Sequence, residues 1–172
     1  MLKSKTIQMR LVDPSDAEFI LKLRIDPRYN QFLSSVSPDI QAQKDWINKY
    51  KTEELERKQF YFIIERVDGV PCGTVRLYDF RGNSFCWGSW ILNEDKTRYA
   101  AIESAFLVYE FGFENLGYQQ SHFDVMKGNE RVQSFHEKMG ATKIKEDSDN
   151  FYYEITKEAV DVARTKLMSK LV

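Results

Sequence analysis

Residues 99–116 place Ile102, Phe106, Tyr109, Phe113 and Leu116 at spacings of three and four, the signature of one helix face. Leu107, Val108 and Phe111 fall off that stripe, so the predicted helix is apolar on more than one side and packs against a sheet. Strand-like segments flank it at 85–92 and 119–126. Strand, buried helix and strand make a βαβ unit, whose strands run parallel and whose crossover is right-handed. The rest of the chain has to be built around that unit.

Upstream, Ile7, Met9 and Leu11 alternate with polar neighbours and predict a first strand. Asp13-Pro14-Ser15-Asp16 predicts a helix start, with Ser15 or Asp16 as N-cap, and Asp26-Pro27 ends that helix. A second helix opens at Pro38-Asp39, carries Ile40, Trp46, Ile47 and Tyr50, and runs out in the charged stretch 51–58. Residues 60–67 and 73–80 read as strands around the turn Val67-Asp68-Gly69, and Arg81-Gly82-Asn83 turns into 85–92. Gly88 inside that strand marks a bulge or a close approach to the backbone. Downstream come a helix at 129–139, strands at 141–146 and 151–155, and an extra C-terminal helix at about 157–171 with Val160, Ala163, Leu167 and Leu171 on one stripe. The expectation is a single α/β (α+β) domain spanning 1–172, with a mixed, mostly antiparallel seven-stranded sheet and helices on both faces.

Composition narrows the partners. Lys+Arg 25 against Asp+Glu 26 leaves a net charge of -1, without the basic excess of a nucleic-acid binder. No run approaches the roughly 18 apolar residues of a membrane span, and Met1 to Lys5 lacks the apolar core of a signal peptide. A cytoplasmic domain with no nucleic-acid or membrane partner is expected. Two cysteines and two histidines make no zinc framework, so no metal is expected. In the hairpin register around Gly82, Cys72 lies opposite Leu92, about 20 Å along the strand from Cys86, so both should be free thiols.

The loop between 92 and the long helix, with Lys96 and Arg98 and the small residues Ala100 and Ala101 at the helix start, suits a phosphate or pyrophosphate. The alternative for this segment is a solvated loop. Further on, Asn129-Glu130-Arg131-Val132-Gln133-Ser134-Phe135-His136-Glu137-Lys138-Met139-Gly140-Ala141 resembles the late motif of the GNAT acyltransferases, an Asn followed by a helix that ends in an aromatic, Glu-Lys, an apolar residue and Gly. The element order over residues 6–156 is also that family's. Arg24-Ile25-Asp26-Pro27 through Asn30 and Phe32 resembles the branch that holds ribosomal-protein and amino-sugar N-acetyltransferases.

The resemblance implies acetyl-CoA as co-substrate, lying where the fourth strand (85–92) and the fifth (119–126) splay apart. Backbone groups of Trp90, Ile91 and Leu92 would pair with the pantetheine arm. The N–H groups of Lys96, Thr97, Arg98, Tyr99, Ala100 and Ala101 would hold the pyrophosphate, while Asn129, Phe135 and Lys138 would contact the pantetheine, the thioester and the nucleotide end. A backbone N–H of the fourth strand would polarise the thioester oxygen, and a substrate amine would attack directly. Tyr99 stands where the family commonly has Gly, and strain follows if that position needs a positive φ. His136 stands where many members carry the Tyr that protonates the thiolate, and it serves either as that acid or as a packing residue beside the cofactor. Asp79, Glu65 and an ordered water are the alternatives for the base. His122, mid-strand, reads as sheet surface.

Arg24, Tyr29 and Asn30 are candidates for an acceptor's phosphate or carboxylate, and Trp87 for stacking on a ring; core or dimer packing is the alternative for the aromatics. These features favour a small-molecule amine acceptor, a nucleotide-linked amino sugar above all. A protein N-terminal acetyltransferase and a non-catalytic GNAT-fold binding module are the competing readings. Monomer and homodimer are both open, since the C-terminal helix can pack on the sheet or on a second subunit.

Overall fold

The computed structural model describes residues 1–169. Among these the chain forms β1 (Leu2–Lys3), β2 (Ile7–Leu11), α1 (Ala17–Ile25), α2 (Ile40–Leu55), β3 (Phe60–Arg66), β4 (Pro71–Arg81), β5 (Ser84–Leu92), α3 (Ala100–Glu110), β6 (Gln120–Met126), α4 (Glu130–Lys138), β7 (Thr142–Glu146), β8 (Asn150–Thr156) and α5 (Lys157–Met168). The sheet has eight strands in the order β1-β2-β3-β4-β5-β6-β8-β7. The additional strand is β1, two residues paired antiparallel to β2 through Leu2↔Met9 and Lys3↔Gln8, too short to carry an alternating pattern. The fold is a mixed α/β sheet, mostly antiparallel, with the parallel pair β5/β6 that the βαβ unit requires.

The chain divides into two compact units, 1–79 with 88–107, and 80–87 with 108–172. β4, β5 and α3 each run from one unit into the other. In the first unit, Tyr61 and Ile63 of β3 face α1 and α2, and with Val12, Ala17, Ile20, Ile47 and Tyr50 they form a core cluster. Asp16, one of the two expected positions, is the N-cap residue of α1, and a 3-10 turn over Pro14–Asp16, capped by Asp13, leads into it. The Asp13 carboxylate accepts the Ser15 N–H, while Asp16 reaches back to the Asp13 N–H at 2.8 Å, a capping box ahead of the helix. The charged stretch after Tyr50 stays helical to Leu55, held by the Lys51–Glu54 ion pair and by the Tyr50 hydroxyl donating to Glu54 at 2.6 Å.

In the second unit, β5 and β6 pair through Ser84↔Gln120, Phe85↔Ser121 and Cys86↔His122, three positions of strands nine and seven residues long. The long apolar helix does not continue unbroken to Leu116. It changes at Phe111 to a π-helical turn over Phe111–Asn115. There the backbone of Gly112 rides against the Phe85 ring, and a Cβ on it would sit 2.8 Å from Cδ1 and closer still to Cε1 and Cζ. β7, at the end of the strand order, is exposed at every residue. Lys143 and Lys145 on it, with a register shift between them, protect this edge against further pairing. On α5, Val160 and Ala163 are buried as the stripe predicts; Leu171 lies outside the described residues. Cys72 and Cys86 are both buried free thiols, and burial pushes the Cys72 thiol up to about 11.

Candidate active site

β5 begins with buried Ser84, Phe85, Cys86 and Trp87 and changes character at Gly88. A Cβ at Gly88 would come 2.9 Å from the Tyr78 hydroxyl, so this position accepts only the smallest residue. Ser89 has φ 49° and Asp79 on β4 has φ 50°, both in the left-handed region that residues with side chains rarely adopt. The Thr74 hydroxyl donates to the Ser89 carbonyl at 3.1 Å and holds the irregularity in place. A break of this kind takes a residue out of the ladder and re-aims the backbone beside it. It falls directly before Trp90, Ile91 and Leu92.

The loop that follows is braced at several points. Buried Asn93 donates its N–H to the Cys72 carbonyl at 2.8 Å, and its Oδ1 accepts the Asp95 N–H at 2.9 Å. The Thr97 and Thr6 hydroxyls are 2.7 Å apart, and the Ala100 N–H reaches the Thr97 carbonyl at 3.2 Å. Glu103, one turn into α3 and 1% exposed, accepts from the Ser4 hydroxyl at 2.7 Å, the Thr6 N–H at 2.8 Å and the Thr6 hydroxyl. Trp90 Nε1 donates to the Ser104 hydroxyl at 3.1 Å. Strand end, loop and first helical turn are therefore one braced piece. The first-turn N–H groups of a helix have no intrahelical acceptor, and together with the helix dipole they favour an anion.

Lys96 and Arg98 are exposed there, Ala100 is fully buried, and Tyr99 and Ala101 are half-buried. Among the described residues, the non-glycine positions with positive φ are Arg57, Asp79 and Ser89. Tyr99 is not one of them, so its ring costs no backbone strain, and it carries the Arg98 guanidinium 5.2 Å from its centroid. Small residues at the helix start, two cations and a fixed backbone fit the pyrophosphate of a coenzyme A thioester.

Arg24 and Tyr29 turn out to line different cavities. Tyr29 donates to Glu94 at 2.6 Å beside a cavity of about 180 Å³ that Asp26, Arg28 and Pro71 also line. Asn30 closes the turn after α1, its N–H on the Asp26 carbonyl at 3.0 Å. Arg24 lines a larger cavity of about 380 Å³ together with Trp46, Tyr61, Arg76 and serines of the 34–37 segment. One Arg24 nitrogen donates to the Ser34 carbonyl and hydroxyl at 3.0 and 2.9 Å. Tyr61 and Arg76 are register partners across β3 and β4, so they share the sheet face that carries this cavity.

Arg76, Tyr61 and Trp46 were not among the sequence candidates. The available signal was an arginine between Val75 and Leu77, both fully buried, which puts Arg76 on the opposite strand face beside Thr74 and Tyr78.

Trp87 takes the packing alternative. It is 4% exposed, donates to the Tyr109 hydroxyl at 3.3 Å and packs edge-on against Tyr109, Phe123 and His136. It is a core residue with no open face for a substrate ring. His136 belongs to the same cluster, with the Phe123 ring 4.2 Å away, and burial pushes its pKa down to about 3. A neutral, enclosed imidazole favours the packing alternative over the acid. Phe135 is half-buried beside it, Lys138 is exposed, and Asn129 occupies the N-cap position of α4 with its carbonyl accepting the Gln133 N–H at 3.1 Å. His122 bonds through Nδ1 to the Ser84 hydroxyl at 2.6 Å.

Of the base candidates, Glu65 is 7% exposed and engaged by Gln8 at 2.7 Å and Arg10 at 3.2 Å, which makes it a structural anchor. Asp79 is exposed. Among the described residues no group of three His, Cys, Asp or Glu side chains could hold a metal ion, and no helix is long and apolar enough to cross a membrane.

Comparison with known proteins places this architecture. Residues 6–142 match the family described as Acetyltransferase (GNAT) domain. The structure of apo FdhC, a nucleotide-linked sugar GNAT, is similar with a TM-score of 0.89 at 54% identity, over 96% of this chain and 94% of that one. A ribosomal-protein-alanine acetyltransferase from Vibrio fischeri shares the fold at TM-score 0.78 and 15% identity, over 91% of this chain and 96% of that one. A dodecameric spermidine N-acetyltransferase from Vibrio cholerae does so at TM-score 0.73 and 15% identity, over 88% of this chain and 94% of that one. No match was found among curated proteins. A family match across most of the chain, on a strand order and loop that suit its chemistry, makes this chain a member of the GNAT acetyltransferase family.

Proposed function

We propose that the chain moves an acetyl group from acetyl-CoA to the primary amine of a nucleotide-linked amino sugar. The observation that carries this reading is the 54% identity, over 96% of the chain, to a nucleotide-linked sugar GNAT. The relatives that act on a ribosomal protein and on spermidine are only 15% identical, so they support the fold and not an acceptor.

Within this reading, the N–H groups at the start of α3, with Lys96 and Arg98, hold the pyrophosphate, and Asn129, Phe135 and Lys138 contact the remainder of the coenzyme. The backbone of Trp90–Leu92 runs beside the pantetheine arm. A backbone N–H re-aimed at the Gly88–Ser89 irregularity donates to the thioester oxygen, where negative charge grows as the amine adds. The amine nitrogen forms the new C–N bond, the C–S bond breaks, and the thiolate takes a proton from solvent, since His136 is held neutral. Asp79, exposed at the end of β4, accepts the amine proton directly or through water.

Calorimetric titration with acetyl-CoA tests the first half. Micromolar binding, on the order of −7 to −8 kcal/mol, is expected. Absence of binding up to millimolar concentration overturns the acetyltransferase reading and favours a non-catalytic module.

A further inference from the structure

We infer that Arg24, Arg76 and Tyr61 bind the phosphoryl oxygens of the acceptor's nucleotide; the inference rests on the acceptor class proposed above. The cavity they line also includes Ser34, Ser35, Ser37 and Gln43, and no carboxylate. Two guanidinium groups thus face a cavity without a counter-charge in its wall. Nε of Arg24, Nε of Arg76 and the Tyr61 hydroxyl are each buried and without a hydrogen-bond partner among the described residues.

Three buried polar atoms, on residues that line one cavity, are costly to leave unpaired, and native interiors rarely do so. Their chemistry is uniform: both guanidinium nitrogens donate only, and a phenol donates to any strong acceptor. Guanidinium forks match phosphoryl oxygens in geometry and charge. A carboxylate has two oxygens, fewer than two arginines, a tyrosine and the serine hydroxyls can address, whereas a diphosphate offers enough acceptors.

The groups are also set in advance. Arg76 is held by its Nη1 bond to Gln59 at 3.2 Å and lies 4.2 Å over the Tyr78 ring. Tyr61 is fixed by edge-on contacts with Trp46 and Tyr50 at 5.7 and 6.0 Å, and Arg24 by Ser34. The volume, about 380 Å³, falls toward the small end of ligand pockets and suits one portion of a sugar nucleotide. Coenzyme A also carries phosphates, so the test separates the two sources.

The full chain is titrated with UDP, dTDP and inorganic pyrophosphate, with and without saturating CoA, as wild type, Arg76→Gln and Tyr61→Phe. At least one nucleoside diphosphate is expected to bind in the presence of CoA. Arg76→Gln should weaken that binding about tenfold or more and Tyr61→Phe several-fold, with CoA affinity unchanged. Tyr61→Phe removes a hydroxyl without a partner, so its melting temperature should not fall, which separates lost binding from lost folding. Failure of both nucleoside diphosphates to bind, equal binding by wild type and both variants, or displacement by CoA would each overturn the inference. Acetyl transfer to a nucleotide-linked amino sugar with unchanged binding in the variants would leave the proposed function standing and this pocket assignment wrong. Nucleoside diphosphate binding that depends on Arg76, without any transfer to such sugars, would do the reverse.

Discussion

At the scale of single residues, environment decides what each titratable group can do. His136 is enclosed by Trp87, Phe123, Phe135 and Tyr153, and burial holds it neutral down to about pH 3. Its unfolded value is near 6.5, so below that pH the unfolded chain binds a proton that the folded chain refuses. The stability tied to neutral His136 is therefore present above pH 6.5 and lost as pH falls toward 3, by up to about 1.4 kcal/mol per pH unit. Denaturant melts of wild type and His136→Leu between pH 4 and 7 should show this slope in the first and a shallower one in the second. Asp79 differs in kind, being exposed and left-handed. Asn tolerates that backbone, so Asp79→Asn removes the charge alone. It should lower kcat about 100-fold if the carboxylate is the base; a loss within threefold would return that role to water.

At the scale of elements, periodicity carried far and stopped at backbone irregularities. The apolar stripe of Ile102, Phe106, Tyr109 and Phe113 was legible because one helix face repeats, and the turn at Gly82 because few residue pairs make such a turn. The π-helical turn at Phe111–Asn115 was not legible, and neither was the tertiary contact within it, where the Phe85 ring occupies the space beside Gly112. Gly112→Ala should therefore destabilise the protein by about 1–3 kcal/mol, read as a lower denaturation midpoint. A wild-type midpoint would remove Phe85 as the reason for the glycine. Gly88 was readable as a bulge signal, while the left-handed Ser89 beside it was not, because serine has no composition signature for that conformation. Trp87 was left open between substrate stacking and core packing for a related reason. A tryptophan in a strand looks the same from sequence whether it faces a ligand or the interior.

At the scale of the whole molecule, the family motif at Asn129–Ala141 and the element order pointed to the fold, and the eight-stranded sheet with its β5/β6 parallel pair agrees. The proposed acceptor pocket was half visible: Arg24 stood in the segment that resembled the family branch, but Arg76, Tyr61 and Trp46 come from β4, β3 and α2 and meet only in three dimensions. Charge composition could not reveal them, since a net charge of -1 averages over a cavity wall with two arginines and no acid. The most direct measurement is release of free coenzyme A thiol from acetyl-CoA in the presence of nucleotide-linked amino sugars, with the product mass determined. The account predicts turnover with at least one of them, a mass gain of one acetyl group, and no comparable turnover with the free amino sugar. Turnover with a protein N-terminus or a polyamine instead, and none with any nucleotide-linked sugar, would contradict it.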